Sequence, residues 1–429
     1  MKYSIYNSII PISNNCTLIF NALSGRFLPI KSRSRIDSIE SLKHYKEFHE
    51  AMKEANILVE DSVDELNVLN ELIQSADNNE DEFILHINPT LDCNFKCWYC
   101  YENHTPHSKM SASTIDATKK FIDRVVAQGI KRFDLGFFGG EPLFHFHFIA
   151  KPLIEYAAKL CGKNGIGLHI HFTSNGALLN DKIIEFLSQY SCGFQITLDG
   201  DKNDHDKTRF FKNGDGSYER IINNIVLLVR SGISVIVRIN YTSANINESA
   251  NVLGFFKGLT ESEKKQIQFD FQRVWQERSN EEDETEQKVQ LIRDSFRKEG
   301  FIVLTNYIPH NVKESCYGDK INHLLINYDG LVFGCTARDF IEANSIGKLN
   351  DDGSITYKEP IASLRCSSKF SKPVCHTCRI APLCGGGCKQ RALESLNSPG
   401  CPLGYTEEAK DNIVLDLFEY SYGINNAKR

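Results

Sequence analysis

Between residues 83 and 310 the chain alternates strand-like and helix-like segments six times, and this alternation restricts its fold more than any other feature. The pairs are Phe83–Asn88 with Ser113–Ala127, Phe133–Phe138 with Phe148–Leu160, Leu168–Thr173 with Asp181–Ser188, Gly193–Leu198 with Ser217–Arg230, Val235–Asn240 with Asn247–Phe256, and Ile267–Arg273 with Thr285–Lys298. Consecutive β-then-α units join through right-handed crossovers and make a parallel sheet, open or curled into a barrel. Ligands of such sheets gather at the carboxyl ends of the strands. The acidic stretch Glu281-Glu282-Asp283-Glu284 reads as a solvated loop leading into the last helix.

Residues 1–82 read as a separate small α+β domain. Apolar β-type segments lie at Tyr3–Ile12, Thr17–Phe20 and Phe27–Ile30, with a turn at Ser24-Gly25. A helix capped by Ser38 or Ser41 carries Leu42, Tyr45, Phe48, Met52 and Ala55, and a second apolar stripe runs from Val63 to Ile73. The polar run from Ala76 to Glu82 sets a first boundary. Residues 311–429 change character again, becoming rich in Cys, Gly and Pro before a last helix near Glu407–Tyr420.

Composition narrows the classes. The chain has 429 residues, 41% hydrophobic and 24% charged, as in ordinary globular proteins. A net charge of −6 offers no general field for a polyphosphate backbone, so nucleic acid is not expected as a partner. The greasiest region, Phe133–Tyr156, is interrupted by charges, and no apolar h-region follows the N-terminus. The expected compartment is the cytoplasm, without membrane association.

Fourteen cysteines are unusual for such a chain. Three stand together as Cys93-Asn-Phe-Lys-Cys97-Trp-Tyr-Cys100, just after the first strand of the β/α series. Eight lie beyond residue 315, and Cys16, Cys161 and Cys192 are scattered and read as core residues. Disulfides suit oxidising compartments and small domains, so metal or cluster ligation is the better reading. Three thiolates in one loop leave a fourth coordination position open.

The C-x3-C-x2-C spacing, with the aromatic Tyr99 before its last cysteine, resembles the radical S-adenosylmethionine (SAM) enzymes. Phe138-Gly139-Gly140-Glu141-Pro142, at the end of the second strand, resembles their GGEP segment. Thr173-Ser-Asn175-Gly176, Thr197-Leu-Asp199-Gly200 and Arg209 resemble their later strand-end segments. The resemblance implies a partial (β/α)6 barrel, with Cys93, Cys97 and Cys100 holding a [4Fe–4S] cluster. Tyr99, Gly139, Gly140, Glu141, Pro142, Asn175, Thr197, Asp199 and Arg209 would then contact SAM. It also implies reductive cleavage of SAM to a 5′-deoxyadenosyl radical that takes hydrogen from a substrate.

The tail reads Cys316-x13-Gly330-x4-Cys335, then Cys375-x2-Cys378-x5-Cys384-x3-Cys388, then Cys401. This is similar to the SPASM domain of radical SAM enzymes that modify peptides and proteins, and it implies two auxiliary [4Fe–4S] clusters. By that resemblance Cys375, Cys378, Cys384 and Cys401 ligate the outer cluster, and Cys316, Cys335 and Cys388 the inner one. Cys366, the nearest spare cysteine, is the candidate fourth ligand of the inner cluster. Two four-cysteine zinc sites would use the same thiolates, and a non-catalytic iron–sulfur or zinc protein stays open as an alternative.

The branch of the family that matures sulfatases carries an aspartate after the cysteine of the G-x4-C element. Here Thr336 stands there, with Asp339 out of register. The expected function is therefore maturation of a ribosomally made precursor peptide by an oxidative cross-link. Residues 1–82 would grip its leader, and flavodoxin or ferredoxin would supply electrons. Sulfatase maturation is the alternative.

Overall fold

The computed structural model describes residues 1–31, 36–277, 282–304, 312 and 315–422, so Glu281 of the acidic stretch lies outside the described residues. The chain divides into two compact units, one spanning residues 1–79, 306–321 and 360–429, the other 80–305 and 322–359. The sequence grouped 322–359 with the tail. In the structure that segment continues the large sheet instead.

The first unit opens with β1 (Lys2–Tyr3) and an antiparallel meander of β2 (Asn7–Ser13), β3 (Cys16–Asn21) and β4 (Arg26–Lys31). β5 (Leu58–Val59) returns to pair with β1. The single helix expected from Ser38 onward is broken into Ile39–Leu42, the 3-10 turn Lys46–Phe48 and His49–Glu54, because Tyr45 leaves the helical region at φ −105°, ψ 71°. Leu42, Met52 and Ala55 still share one core, with Tyr45 and Phe48 against it. The apolar period reported a common buried face, not an unbroken helix. The second expected helix is Glu65–Asp77, capped by Asp64.

The tail is less loop-like than its composition. Four short helices, Ile361–Ser368, Pro373–His376, Ala381–Cys384 and Lys389–Glu394, precede the long helix Glu407–Tyr422. Within this unit Val414 of the long helix shares a core with Tyr6 and Ile10, and Phe418 meets Phe27 edge-on at 5.2 Å.

A buried ion cluster fastens Glu65–Asp77 to the tail. The Lys369 ammonium lies 2.9 Å from both oxygens of Asp77 and 3.2 Å from Asp319, with all three side chains at most 6% exposed. Lys369→Met removes the ammonium that pairs with both buried carboxylates and is expected to cost about 3–5 kcal/mol, read as a lower urea midpoint. Asp77→Leu in the same chain should recover part of that loss.

Among the described residues the second unit is built on an eleven-stranded sheet. Seven parallel strands run in order: β6 (Glu82–Ile87), β7 (Arg132–Phe137), β8 (Gly167–Ser174), β9 (Cys192–Leu198), β10 (Ser234–Tyr241), β11 (Ile267–Arg273) and β12 (Ile302–Leu304). Beyond β6 the sheet continues through β13 (His323–Ile326), parallel to β6, then antiparallel β14 (Leu331–Phe333), β15 (Gly347–Leu349) and β16 (Ile355–Tyr357). The six expected β/α units are present. The sheet ends at β12 and β16, so it is an open, partial barrel.

Alternate residues are buried under the helices on β7 (Phe133, Leu135, Phe137), β9 (Phe194, Ile196, Leu198) and β10 (Val235, Val237, Ile239). The crossover helices supply the matching apolar faces, as with Phe121, Ile122 and Val125 of Ala112–Val126. Alternation leaves the other face polar, and its strand ends carry the motif loops.

That polar face also holds a chain of imidazoles. His171 Nδ1 lies 2.7 Å from Asp134 Oδ1, His171 Nε2 lies 3.0 Å from His86 Nε2, and His86 Nδ1 lies 3.0 Å from His323 Nε2. His86 and His171 are in register with Gly136 on the strand between them, and a Cβ there would sit 2.3 Å from His171 Nε2. The glycine is what lets the two rings meet. Burial first, then the His323 and His171 rings, holds the His86 pKa well below 6.5.

Candidate functional site

The loop after β6 is built by its own hydroxyls and carboxylate. Leu91 N–H donates to Ser108 Oγ and Asp92 N–H to Thr90 Oγ1, both at 2.8 Å. Asp92 accepts from the N–H groups of Cys93 (2.8 Å) and His107 (2.9 Å) and from Lys212 (3.2 Å). These bonds fix the start of the segment that carries Cys93, Cys97 and Cys100. Met110 and Phe95, both 1% exposed, pack beneath it.

The second motif lies directly against this loop. Glu141 N–H donates to the Asp92 carbonyl at 2.9 Å, and Gly140 N–H donates to Glu102 at 2.7 Å. Gly140 has φ +52°, and a Cβ on it would stand 2.3 Å from the Asp92 carbonyl oxygen, so only glycine permits the approach. Glu141 is fully buried. Its carboxylate accepts from Leu143 N (3.0 Å), Ser174 Oγ (2.7 Å) and Asn175 N (2.8 Å), while Pro142 starts the turn Pro142–His145. Burial pushes the Glu141 carboxyl up, and these hydrogen bonds oppose it.

Asn175 brings the third strand end in. Its amide nitrogen donates to Asn94 Oδ1 at 2.8 Å and lies 3.9 Å from Cys93 Sγ. The fourth strand end forms a knot around Tyr99. The tyrosine hydroxyl donates to Asp199 Oδ2 at 2.5 Å and accepts from Arg209 Nη1 at 2.7 Å and Asn240 Nδ2 at 3.1 Å. Burial works against the Arg209 charge, but Cys97, Tyr99 and Asp199 more than offset it. Burial also raises the Asp199 carboxyl, with Arg209 and Tyr99 opposing. Thr197, half-buried on β9 in register with Arg238, joins none of these bonds.

Among the residues of this site not singled out from the sequence are Ser174, Glu102 and Asn240. Ser174 lies inside the quoted strand-end segment, and the glutamate two residues after Cys100 was there to be read. Asn240 has no motif. Burial lifts the Glu102 carboxyl to about 7, against the Gly140 hydrogen bond.

The donor chemistry fits a metal centre. Burial raises all three thiols, Cys93 to about 12 and Cys100 to about 11, so a metal must supply the positive charge that keeps them ionised. Among the described residues no three His, Cys, Asp or Glu side chains are arranged around a single ion. The site also fits a polar organic ligand. Asn88 Oδ1, Asn94 Nδ2, Asp199 Oδ1 and Arg209 Nε are buried without a hydrogen-bond partner among the described residues. A free carboxylate oxygen and a free guanidinium nitrogen suit hydroxyl and carboxylate groups of such a ligand.

In the tail, Cys375, Cys378, Cys384 and Cys401 line one cavity with Tyr405 and Lys410. Gly385, Gly386 and Gly387, all at positive φ, turn the chain there, and the amides of Gly386 and Gly387 approach the Cys384 sulfur. Cys388 accepts from Arg391 N and Cys335 from Ala337 N, as Cys93 does from Phe95 N, at 3.3–3.5 Å. Cys316 and Cys366 are exposed. Cys161 and Cys192 are buried and Cys16 is half-buried, away from both cysteine groups in sequence.

Residues 87–248 match the Radical SAM superfamily. The chain carries a radical SAM domain there. The matched stretch takes in the triad, Gly139–Pro142, Asn175, Thr197, Asp199 and Arg209. The chain is 23% identical over 364 residues to a cysteine-type anaerobic sulfatase-maturating enzyme of Clostridium novyi, covering 79% of the chain and 93% of the relative. It is 27% identical over 180 residues to the radical SAM cyclopropyl synthase TigE of Paramaledivibacter caminithermalis, 38% of this chain and 35% of that one. Among solved structures, anSMEcpe with bound AdoMet superposes with a TM-score of 0.59 at 18% identity, covering 80% of this chain and 97% of that one. SuiB of Streptococcus suis bound to precursor peptide SuiA gives 0.53 at 14%, covering 91% and 96%. The fold is thus that of the radical SAM maturases. A [4Fe–4S] cluster and SAM go with the family. Among the described residues no helix is long and apolar enough to cross a membrane.

Proposed function

We propose that this enzyme acts on a ribosomally made precursor peptide and installs an oxidative cross-link, a thioether, carbon–carbon or carbon–oxygen bond. The observation that carries this reading is the tail cavity lined by four cysteines, in a chain that also has the radical SAM triad. Removing a hydrogen atom takes one electron from the substrate, and closing a new bond with loss of a proton releases a second. A further redox centre gives that electron a place to go. When bound, the triad cluster and SAM supply the 5′-deoxyadenosyl radical that abstracts hydrogen.

In this reading Cys93, Cys97 and Cys100 hold the first cluster, and Cys375, Cys378, Cys384 and Cys401 an auxiliary one. Arg209 Nε would take the SAM carboxylate, Asp199 Oδ1 a ligand hydroxyl, and the Gly139-Gly140 backbone would close on the amino-acid end. Glu141, already accepting three hydrogen bonds, holds the strand ends in place around it. Tyr99 fixes Asp199 and Arg209 relative to each other, and Thr197 stands near the end of β9, two residues before Asp199. Electrons would come from a flavodoxin or ferredoxin.

Residues 1–82 would receive the leader peptide. A cavity of about 500 Å3 lined by Leu23, Leu58, Val59, Val63, Val68 and Leu72 supports this, as does the β2–β3–β4 meander, whose outer strands pair with no further strand among the described residues. Sulfatase maturation is the second reading, favoured by the relative that spans 79% of the chain. Against it, Thr336 has no carboxylate to act as a base.

Anaerobic co-expression with short open reading frames encoded beside the gene, followed by mass spectrometry, separates the readings. A peptide lighter by two hydrogens is expected. A mass-neutral change would point to epimerisation, and a formylglycine in a sulfatase peptide to the second reading.

A further inference from the structure

One buried cation, Lys410, lines the four-cysteine cavity, and a second, Lys372, lies three residues before Cys375; the proposed function leaves both unused. Lys410, on the helix Glu407–Tyr422, lines the cavity, is 9% exposed, and lies within hydrogen-bonding reach of Cys378. Its carboxylate partner Glu407, 2.5 Å away, has a side chain 73% exposed, so water screens much of that negative charge. Glu407 and the neighbouring Asp411 are also gripped by Arg379, at 3.1 and 2.9 Å.

Lys372 stands three residues before Cys375, whose N–H donates to the Lys372 carbonyl at 2.9 Å. It is 6% exposed, and its ammonium donates to the carbonyls of Ser395 and Ser398. Among the described residues no carboxylate forms an ion pair with it. An ammonium held away from water calls for counter-charge nearby, and besides Glu407, which pairs with Lys410, the acidic groups at this cavity are its own thiols. Cys375 lies within the field of Lys372.

We propose that Lys372 and Lys410 are the counter-ions of the cluster held by Cys375, Cys378, Cys384 and Cys401, and that they bias it toward its one-electron-reduced form. This rests on the reading of the tail as cluster-binding. Four thiolates around an iron–sulfur core leave the site negative, and one added electron makes it more so. A fixed cation therefore stabilises the reduced state more than the oxidised one, and the potentials of such clusters follow net charge, hydrogen bonding and exposure. One electron enters, no bond or proton changes hands, and in the test dithionite supplies the electron.

The test uses the full-length protein, reconstituted anaerobically with iron and sulfide and titrated potentiometrically with detection by electron paramagnetic resonance. The signal that Cys378→Ala removes belongs to the tail cluster. In Lys410→Met, the reduced-to-oxidised ratio of that signal at fixed potential is expected to fall about tenfold, which is 59 mV for a one-electron couple. Lys372→Met should shift it the same way, and Lys410→Arg should titrate within about twofold of the parent.

A Lys410→Met centre within twofold of the parent overturns the proposal, and so does an arginine variant shifted as far as the methionine one. Loss of iron from both methionine variants, with Lys410→Arg and Lys372→Arg both loaded, supports it, since the charge is what those pairs do not share. Loss from the arginine variants too overturns it. If Cys378→Ala removes neither iron nor signal, the cluster reading itself has failed, and iron analysis shows this before any potential is read.

Discussion

Cys97→Ala is expected to abolish cleavage of SAM to 5′-deoxyadenosine, by at least about 1000-fold, or about 4 kcal/mol in barrier terms. The purified protein should also lose about four iron atoms per chain. Cys97 is the sharpest of the three positions. Cys100 Sγ lies 3.6 Å from His104 Nε2, so an imidazole stands ready to replace that thiolate. Cys93 and Cys97 have no such neighbour among the described contacts. Cys97 also lies in the field of Arg209, which ties the ligand loop to the Tyr99 knot. Two comparisons give the result its meaning. Cys378→Ala should keep 5′-deoxyadenosine formation while stopping product, because the tail cavity belongs to a different compact unit. Cys192→Ala, a core thiol on β9, should change neither. Equal SAM cleavage by the Cys97 variant would remove the mechanism.

The β/α series was legible because strand and helix periods differ and because each crossover element must bury one face. Strands expected at Phe133–Phe138 and Gly193–Leu198 stand at Arg132–Phe137 and Cys192–Leu198. The motif residues were legible for a different reason: close backbone approach leaves a glycine trace, as at Gly140, and ligand thiols keep short spacings along one loop. What could not be read is whatever depends on distant partners. β13 joins β6 across more than two hundred residues, so nothing local announces that 322–359 continue the sheet. The bonds of Glu141 to Ser174 and Asn175 cross strands in the same way. Lys372 and Lys410 look like ordinary surface lysines in the sequence, and only burial marks them.

Gly136→Ala is the second substitution with a large expected effect, and its sign alone is diagnostic. Replacing a glycine inside a strand with alanine ordinarily stabilises, by about 0.5–1 kcal/mol, because it reduces the freedom of the unfolded chain. Gly162, in the helix Lys151–Asn164 with nothing within 4 Å of an added Cβ, should behave in that manner. At Gly136 the added carbon would stand 2.3 Å from His171 Nε2 and 2.8 Å from His86 Cδ2. The rings must part, breaking the His86–His171 link within a buried stretch of the sheet. Overpacking and unmatched polar groups together should cost about 2–5 kcal/mol, seen as a lower urea midpoint. The same imidazoles make stability depend on pH. Folding holds the His86 pKa well below its ordinary 6.5, so below that pH the unfolded chain binds a proton that the native chain refuses. Stability contributed by this group is present above about pH 6.5 and is lost as pH falls, by up to about 1.4 kcal/mol per pH unit. His86→Gln should flatten that slope between pH 6.5 and 5 while lowering stability at pH 8. If instead the slope persists unchanged in the variant, other groups carry it, and the buried ring is not the one that excludes the proton.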